Sequence, residues 1–227
     1  MIARTGLILC TALAGCANSP EPAKYQRLSS AAQLSPTGHG ASRRVPYAYE
    51  AQNANLSAYR AVWLEPIAVY AGADHQFGTL TASERGQLAT AAEAAFRAAL
   101  ATRGLLAPQP LAPRGNDNVA DLKITLTGAQ ASIPVLATAT RLTPAGLAAS
   151  GLAAATGSEG RFSGVVMYAV ELRDSRTGGL LWAYVTKQYP NALDIGATLG
   201  PLDAARQGLK TGAEELAAAL AMRMGQP

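Results

Sequence analysis

Residues 163–188, SGVVMYAVELRDSRTGGLLWAYVTKQ, decide the fold. Two apolar-rich runs, Ser163–Arg173 and Leu180–Gln188, flank the hexapeptide DSRTGG. In the first run Val166, Tyr168, Val170 and Leu172 fall on one face at a period of two, as in a strand. Between the runs, Asp174 and Ser175 can bond nearby amides, and Gly178 and Gly179 accept positive φ. Asp174 and Thr177 are therefore read as turn builders, and the stretch as an antiparallel hairpin.

Working outward, residues 119–129 repeat the strand pattern. Leu122, Ile124 and Leu126 alternate with Lys123, Thr125 and Thr127, which predicts a half-exposed strand. A proline-rich loop, APQPLAPRG, precedes it. Before that loop, Thr81 and Glu84 form a Thr-x-x-Glu capping box. Leu88, Ala91, Ala92, Ala95, Phe96, Ala99 and Leu100 then share a helical face, and Gly104 stands where a C-terminal cap belongs. Glu93 and Arg97 sit four apart on the outer face. The run RAVWLEPIAVY, residues 60–70, is rich in Val, Ile and aromatics and reads as a strand. Pro66 inside it has no N–H for a ladder, so it marks an edge or a bulge between two short strands. Strand, helix, strand implies a crossover unit. A last helix, about 202–224, carries Leu202, Ala205, Leu209, Ala213, Leu216 and Leu220 on one face. The expected architecture is α/β, an α+β sandwich: a mixed sheet of about four strands with two main helices packed over it.

The front of the chain reads differently. Arg4 is followed by the apolar run GLILCTALA, residues 6–14, broken by one threonine. That length suits a secretory leader and is too short for a permanent membrane span. Leu13-Ala14-Gly15-Cys16 closes it. Small residues before a cysteine admit a peptidase, and the thiol can carry a diacylglycerol. This motif resembles the lipobox of bacterial lipoproteins. The resemblance implies cleavage between Gly15 and Cys16, lipidation of Cys16 and a membrane partner held by acyl chains. Ala17 after the cysteine implies the outer membrane, facing the periplasm.

Of the two cysteines, Cys10 lies in the leader and Cys16 is taken by lipid, so no thiol remains for a disulfide, a metal or catalysis. Removing residues 1–15 takes away one basic residue and leaves 18 basic and 15 acidic side chains. That small excess, with no basic-aromatic interleaving, does not point to nucleic acid. Residues 16–57 are expected to be the lipidated N-terminus and a flexible tether, rich in Ser, Pro, Ala and Gln. Tyr47 and Tyr49 within it are candidates for docking on the domain. A single domain is placed at 58–224. The Ala- and Gly-rich stretch 134–160 reads as a helix or loop covering the sheet, with a membrane-dipping or partner-binding segment as the alternative.

Three stretches in order carry a wider resemblance: YRAVWLEPIAVY (59–70), ASIPVL (131–136) and ELRDSRTGGLL (171–181). They resemble the bacterial lipoproteins grouped as domain of unknown function 3313. The family carries no activity to transfer. The chain departs from it in the last helix, where KTGAEEL (210–216) stands in place of an aromatic-rich segment.

No catalytic constellation is visible. His39 lies in the tether and His75 beside Asp74 in a loop, too few for a histidine- or thiolate-based zinc site. No nucleophile elbow, phosphate loop or dinucleotide fingerprint occurs. Glu65 and Glu171 lie on predicted strands and are the one candidate acid pair, for a cryptic hydrolase of wall or lipid substrates. The leading expectation is non-enzymatic, with no cofactor and no metal: an anchored envelope domain that binds a periplasmic or outer-membrane protein or assists assembly. Its candidate binding surface is the exposed edge of the first strand, Trp63, Glu65 and Tyr70, together with the Ala/Gly stretch. Trp63 fits a core position equally well.

Overall fold

The computed structural model describes residues 20–38, 44–108, 118–131, 164–190 and 200–226. The hairpin of residues 165–188 forms its centre. Strands β6 (Val165–Asp174) and β7 (Leu180–Gln188) pair antiparallel from Val166↔Gln188 to Arg173↔Leu180. The turn closes as its chemistry dictates. Thr177 N–H donates to Asp174 Oδ1 at 2.6 Å, Gly178 N–H donates to the Asp174 carbonyl at 2.8 Å, and Gly178 adopts φ +72°.

The sheet grows on both sides of this hairpin. β5 (Val119–Gln130) pairs antiparallel with β6, with an extra residue at Thr127 between the pairs Leu126↔Tyr168 and Gly128↔Met167. β3 (Ala61–Leu64) and β4 (Ala68–Val69) both run parallel to β5. Pro66 falls in the gap between them, so the single run of residues 60–70 becomes two short strands. On the other side, β2 (Tyr47–Glu50) pairs antiparallel with β7, and β1 (Ser35–Pro36) with β2. The order is β1-β2-β7-β6-β5-β3, with β4 also on β5.

The sheet thus has seven strands where about four were expected. One of the extra strands comes from the split at Pro66. The other two come from the stretch read as tether, because β7 offers an open edge and YAYE supplies the backbone to pair with it. The α+β class stands, but the folded unit begins well before residue 58.

Both helices lie on one face. α1 (Ala82–Thr102) starts at the capping box: Glu84 N–H donates to Thr81 Oγ1 at 3.3 Å, and Thr81 N–H donates to the Glu84 carboxylate at 2.8 Å. The Thr81 amide first, then the Thr81 hydroxyl, hold the Glu84 carboxyl below its ordinary pKa. It ends in a Schellman motif. Gly104 at φ +67° lets Leu105 N–H reach the Leu100 carbonyl at 2.9 Å, and Gly104 N–H reaches that of Ala101. Leu88, Ala92, Phe96 and Leu100 are its buried stripe. α2 (Asp203–Arg223) buries Leu209, Ala213, Leu216, Ala217 and Leu220 beside it.

Two glycines of α2 have a packing role. Gly208 and Gly212 of α2 face β6 and β7. A Cβ at Gly208 would lie 3.1 Å from the Gln188 carbonyl oxygen, and one at Gly212 would overlap the Tyr168 hydroxyl. The bare helix face makes room for Tyr168, whose ring meets Phe96 edge-on at 5.4 Å.

The second face of the sheet is also covered. Tyr25, Leu28 and Leu34 are buried against Tyr70, Ala169, Ala183 and Val185. Residues 20–34 cross that face as a strap. This overturns the half-exposed reading of β5: Thr125 is 5% and Thr127 0% accessible. The stretch 134–160 lies wholly outside the described residues, and no structure is assigned to it. Among the described residues, no helix is long and apolar enough to cross a membrane.

Candidate functional site

Among the described residues, the most elaborate polar arrangement is the grip on the strap. Gln76, Gly128, Met167 and Lys187 form one row across the sheet, through the pairs Gln76↔Gly128, Gly128↔Met167 and Met167↔Lys187. A Cβ at Gly128 would come within 2.8 Å of the Gln76 carbonyl oxygen, so only glycine lets the Gln76 backbone lie so close. Gln76 then holds the strap by both ends of its amide. Its Nε2 donates to the Glu21 carbonyl at 2.9 Å, and its Oε1 accepts from Ala23 N–H at 3.1 Å and from the Tyr25 hydroxyl. Lys187, 4% accessible, pairs with Glu21 at 3.2 Å.

Further along, Tyr25 packs edge-on against Tyr70 at 5.4 Å. The Tyr70 hydroxyl accepts from Arg27 N–H at 2.9 Å and donates to Asp74 Oδ1 at 2.7 Å, while Asp74 Oδ2 accepts from Gln26 N–H at 2.9 Å. The Gln26 amide, then the Tyr70 hydroxyl, hold the Asp74 carboxyl below its ordinary pKa. Burial pushes the Tyr25 phenol up to about 12. Tyr25 also sits at φ +51°, in the left-handed region that a tyrosine adopts only at a cost. A buried ring in that conformation marks a segment whose surroundings over-determine it.

Near the middle of the strap, Ser29 Oγ donates to Glu171 Oε1 at 2.7 Å. Glu171 is 1% accessible, and its charge is met by Arg173 at 3.6 Å and Lys123 at 3.9 Å. An acid pair of Glu65 with Glu171 was one expectation. The buried carboxylate instead faces a serine and two cations.

The expected surface of Trp63, Glu65 and Tyr70 is split. Trp63 is half-buried on β3, opposite Asp121, and Glu65 is half-buried beyond the strand end with its N–H on the Leu122 carbonyl. Tyr70 is 5% accessible and serves the strap, so it cannot be part of an exposed docking surface. The edge itself is partly closed. Val62 N–H donates to the Leu105 carbonyl at 2.7 Å, and Ala107 N–H donates to the Val62 carbonyl at 2.9 Å. The loop after α1 thus occupies the backbone groups a partner strand would need there.

Asp74 and His75 do not converge on a metal position. Asp74 turns to Tyr70 and Gln26, and the His75 ring lies 5.5 Å from that of Phe77. Among the described residues no three His, Cys, Asp or Glu side chains cluster to hold a metal. Gly15, Cys16 and His39 lie outside the described residues. On the helical face, an open groove of about 720 Å³ between α1 and α2 is floored by Ala91, Ala95 and Ala98 and rimmed by Arg206, Lys210 and Glu214. It lacks a convergent set of buried polar groups.

Family comparison agrees with the order of motifs along the chain. A family model matches residues 24–216. The chain belongs to DUF3313, a protein family of unknown function. The matched span opens inside the strap, one residue before Tyr25, and reaches Leu216 in α2. No curated protein matches the chain. Among solved structures it is similar to the PelC dodecamer of Paraburkholderia phytofirmans, at 14% identity and a TM-score of 0.36, covering 79% of this chain and 97% of that one. It is also similar to a Xanthomonas campestris protein of family DUF330, at 9% identity and a TM-score of 0.37, covering 77% and 91%.

The strap and its grip were missed by sequence reasoning. The signal that was there is a spacing of three, Pro22, Tyr25, Leu28, Ala31 and Leu34, which matches neither a strand nor an α-helix.

Proposed function

We infer that the chain is an envelope lipoprotein. Its leader is cut before Cys16, Cys16 carries the acyl chains, and the α+β domain is presented from the outer membrane into the periplasm. There it binds a protein partner or assists assembly, without catalysis of its own. The observation that carries this reading is Leu13-Ala14-Gly15-Cys16 at the end of a short apolar run behind Arg4. One acyl chain binds a membrane marginally and stable anchoring takes at least two hydrophobic signals, which an acylated amino-terminal cysteine supplies. The non-enzymatic part is supported by the way Glu171 is bound to Ser29, Arg173 and Lys123.

The test is a Cys16→Ala variant expressed with its leader. The parent should partition into detergent and show an acylated amino terminus by mass spectrometry, and the variant should move to the soluble fraction. An unmodified thiol at the front of the mature parent would end the reading.

A further inference from the structure

The strap changes what a lipid at Cys16 would do. A tether of some forty residues would let the domain roam. Instead, Glu21 is already fixed, by Gln76 through its carbonyl and by Lys187 through its side chain. Glu21 lies five positions after Cys16, and that stretch fully extended spans at most about 18 Å.

We propose that the end of the sheet marked by Gln76, Gly128, Met167 and Lys187 is the membrane-facing end of the domain, held at a phospholipid surface by this short leash. The β6–β7 turn then points away from the bilayer. The proposal rests on the acylation reading above. From Met167 to Asp174 is seven residues of β6, about 23 Å at the strand rise. The turn therefore lies farther from Glu21 than the leash is long.

The rest of the fold is arranged along the same axis. α1 begins just after Gln76, and α2 passes Gln188 at Gly208, so both helices start at this end. Both finish at the other. The loop after α1 bonds Val62, Arg223 pairs with Glu50 at 2.9 Å, and Gln226 donates to the Arg60 carbonyl. The positive ends of two helix dipoles thus face the headgroup phosphates. Glu84 and Asp203 in the first turns offset part of that field, so the leash carries the proposal and the dipoles only favour it.

The mature chain is suited to a direct test, because Cys10 leaves with the leader and Cys16 is blocked by lipid. Two variants of the acylated protein, Gln130→Cys and Arg176→Cys, each place one thiol at an exposed position, at opposite ends of the sheet. Each is labelled with a fluorophore and reconstituted in phosphatidylethanolamine–phosphatidylglycerol vesicles bearing a headgroup spin label as a short-range quencher. Quenching at position 130 should exceed that at 176 by about threefold or more. Inserting ten Gly-Ser residues between Ala17 and Pro20 should collapse that difference while leaving the fold intact.

Equal quenching at the two positions, or stronger quenching at 176, in protein whose acylation is confirmed by mass would overturn the orientation alone. An unacylated amino terminus in the same sample would overturn both this proposal and the lipoprotein reading. The two failures are therefore told apart by one mass measurement.

Discussion

Replacing Tyr25 tests whether residues 20–34 are part of the fold. The ring is 1% accessible and packs on Tyr70. Burying an aromatic side chain removes about 150–250 Å² from water. At roughly 25 cal/mol per Å² that is an upper bound of about 4–6 kcal/mol, and measured aromatic-to-alanine losses run at about 3–5 kcal/mol. Tyr25→Ala should therefore cost about 3–5 kcal/mol, since alanine keeps the unfavourable φ of +51°. Tyr25→Gly loses the same ring but relieves the backbone, so it should be less damaging than alanine by about 1 kcal/mol. Tyr25→Phe removes only the hydroxyl that Gln76 Oε1 accepts, for about 1 kcal/mol. In a domain of this size each kcal/mol moves Tm by about 2–4 °C, so the alanine variant should melt roughly 10 °C lower. The assay is near-ultraviolet circular dichroism on heating, with urea titration for the m-value, on the mature chain carrying Cys16→Ala. If all three variants melt within about 2 °C of the parent, as surface substitutions do, the strap is not docked and the reasoning fails.

Two glycines in helices should respond oppositely to alanine. At Gly86 a Cβ meets nothing within 4 Å, so Gly86→Ala should stabilise by about 0.5–1 kcal/mol from helix propensity. At Gly212 the same atom overlaps the Tyr168 hydroxyl and lies 3.0 Å from Gln188 Cγ. Gly212→Ala should destabilise by about 1–2 kcal/mol, and adding Tyr168→Phe should recover part of it. Equal stabilisation at both positions in chemical denaturation would refute the packing of α2. For pH, the Tyr59 hydroxyl first, then Thr177, hold the Asp174 carboxyl down at about 2, against 3.8 when free. A depressed carboxylate stabilises the fold above its unfolded pKa and loses that contribution as pH falls through the folded one. Thermal stability should decline as pH drops from 3.8 toward about 2, and Asp174→Asn should flatten that decline. An unchanged slope in the variant would remove Asp174 from the account.

Some of this protein was written in short-range chemistry. The capping box at Thr81, the glycine stop at Gly104 and the turn at Asp174–Gly179 each depend on residues within a few positions of one another. The alternation in β6 and the stripe of α1 repeat along a single element, so their periods are visible in one dimension. The split at Pro66 follows from a missing N–H. The family, likewise, was legible in ordered local motifs.

The strap was not legible, and the reason is physical. Its buried apolar side chains, Pro22, Tyr25, Leu28 and Leu34, keep a spacing of three through half-buried Ala31, neither the two of a strand nor the 3.6 of an α-helix. What fixes them is Gln76, Tyr70, Glu171 and Lys187, which stand 43 to 166 residues away along the chain. With that grip out of sight, a polar run looks like linker, β5 looks half-exposed, and Tyr70 looks like surface. Those three readings fail together because the docking of one segment decides them all. Local propensity and periodicity determined the elements. Only the tertiary structure, by covering the second face of the sheet, decided where the domain begins and which side chains remain for solvent.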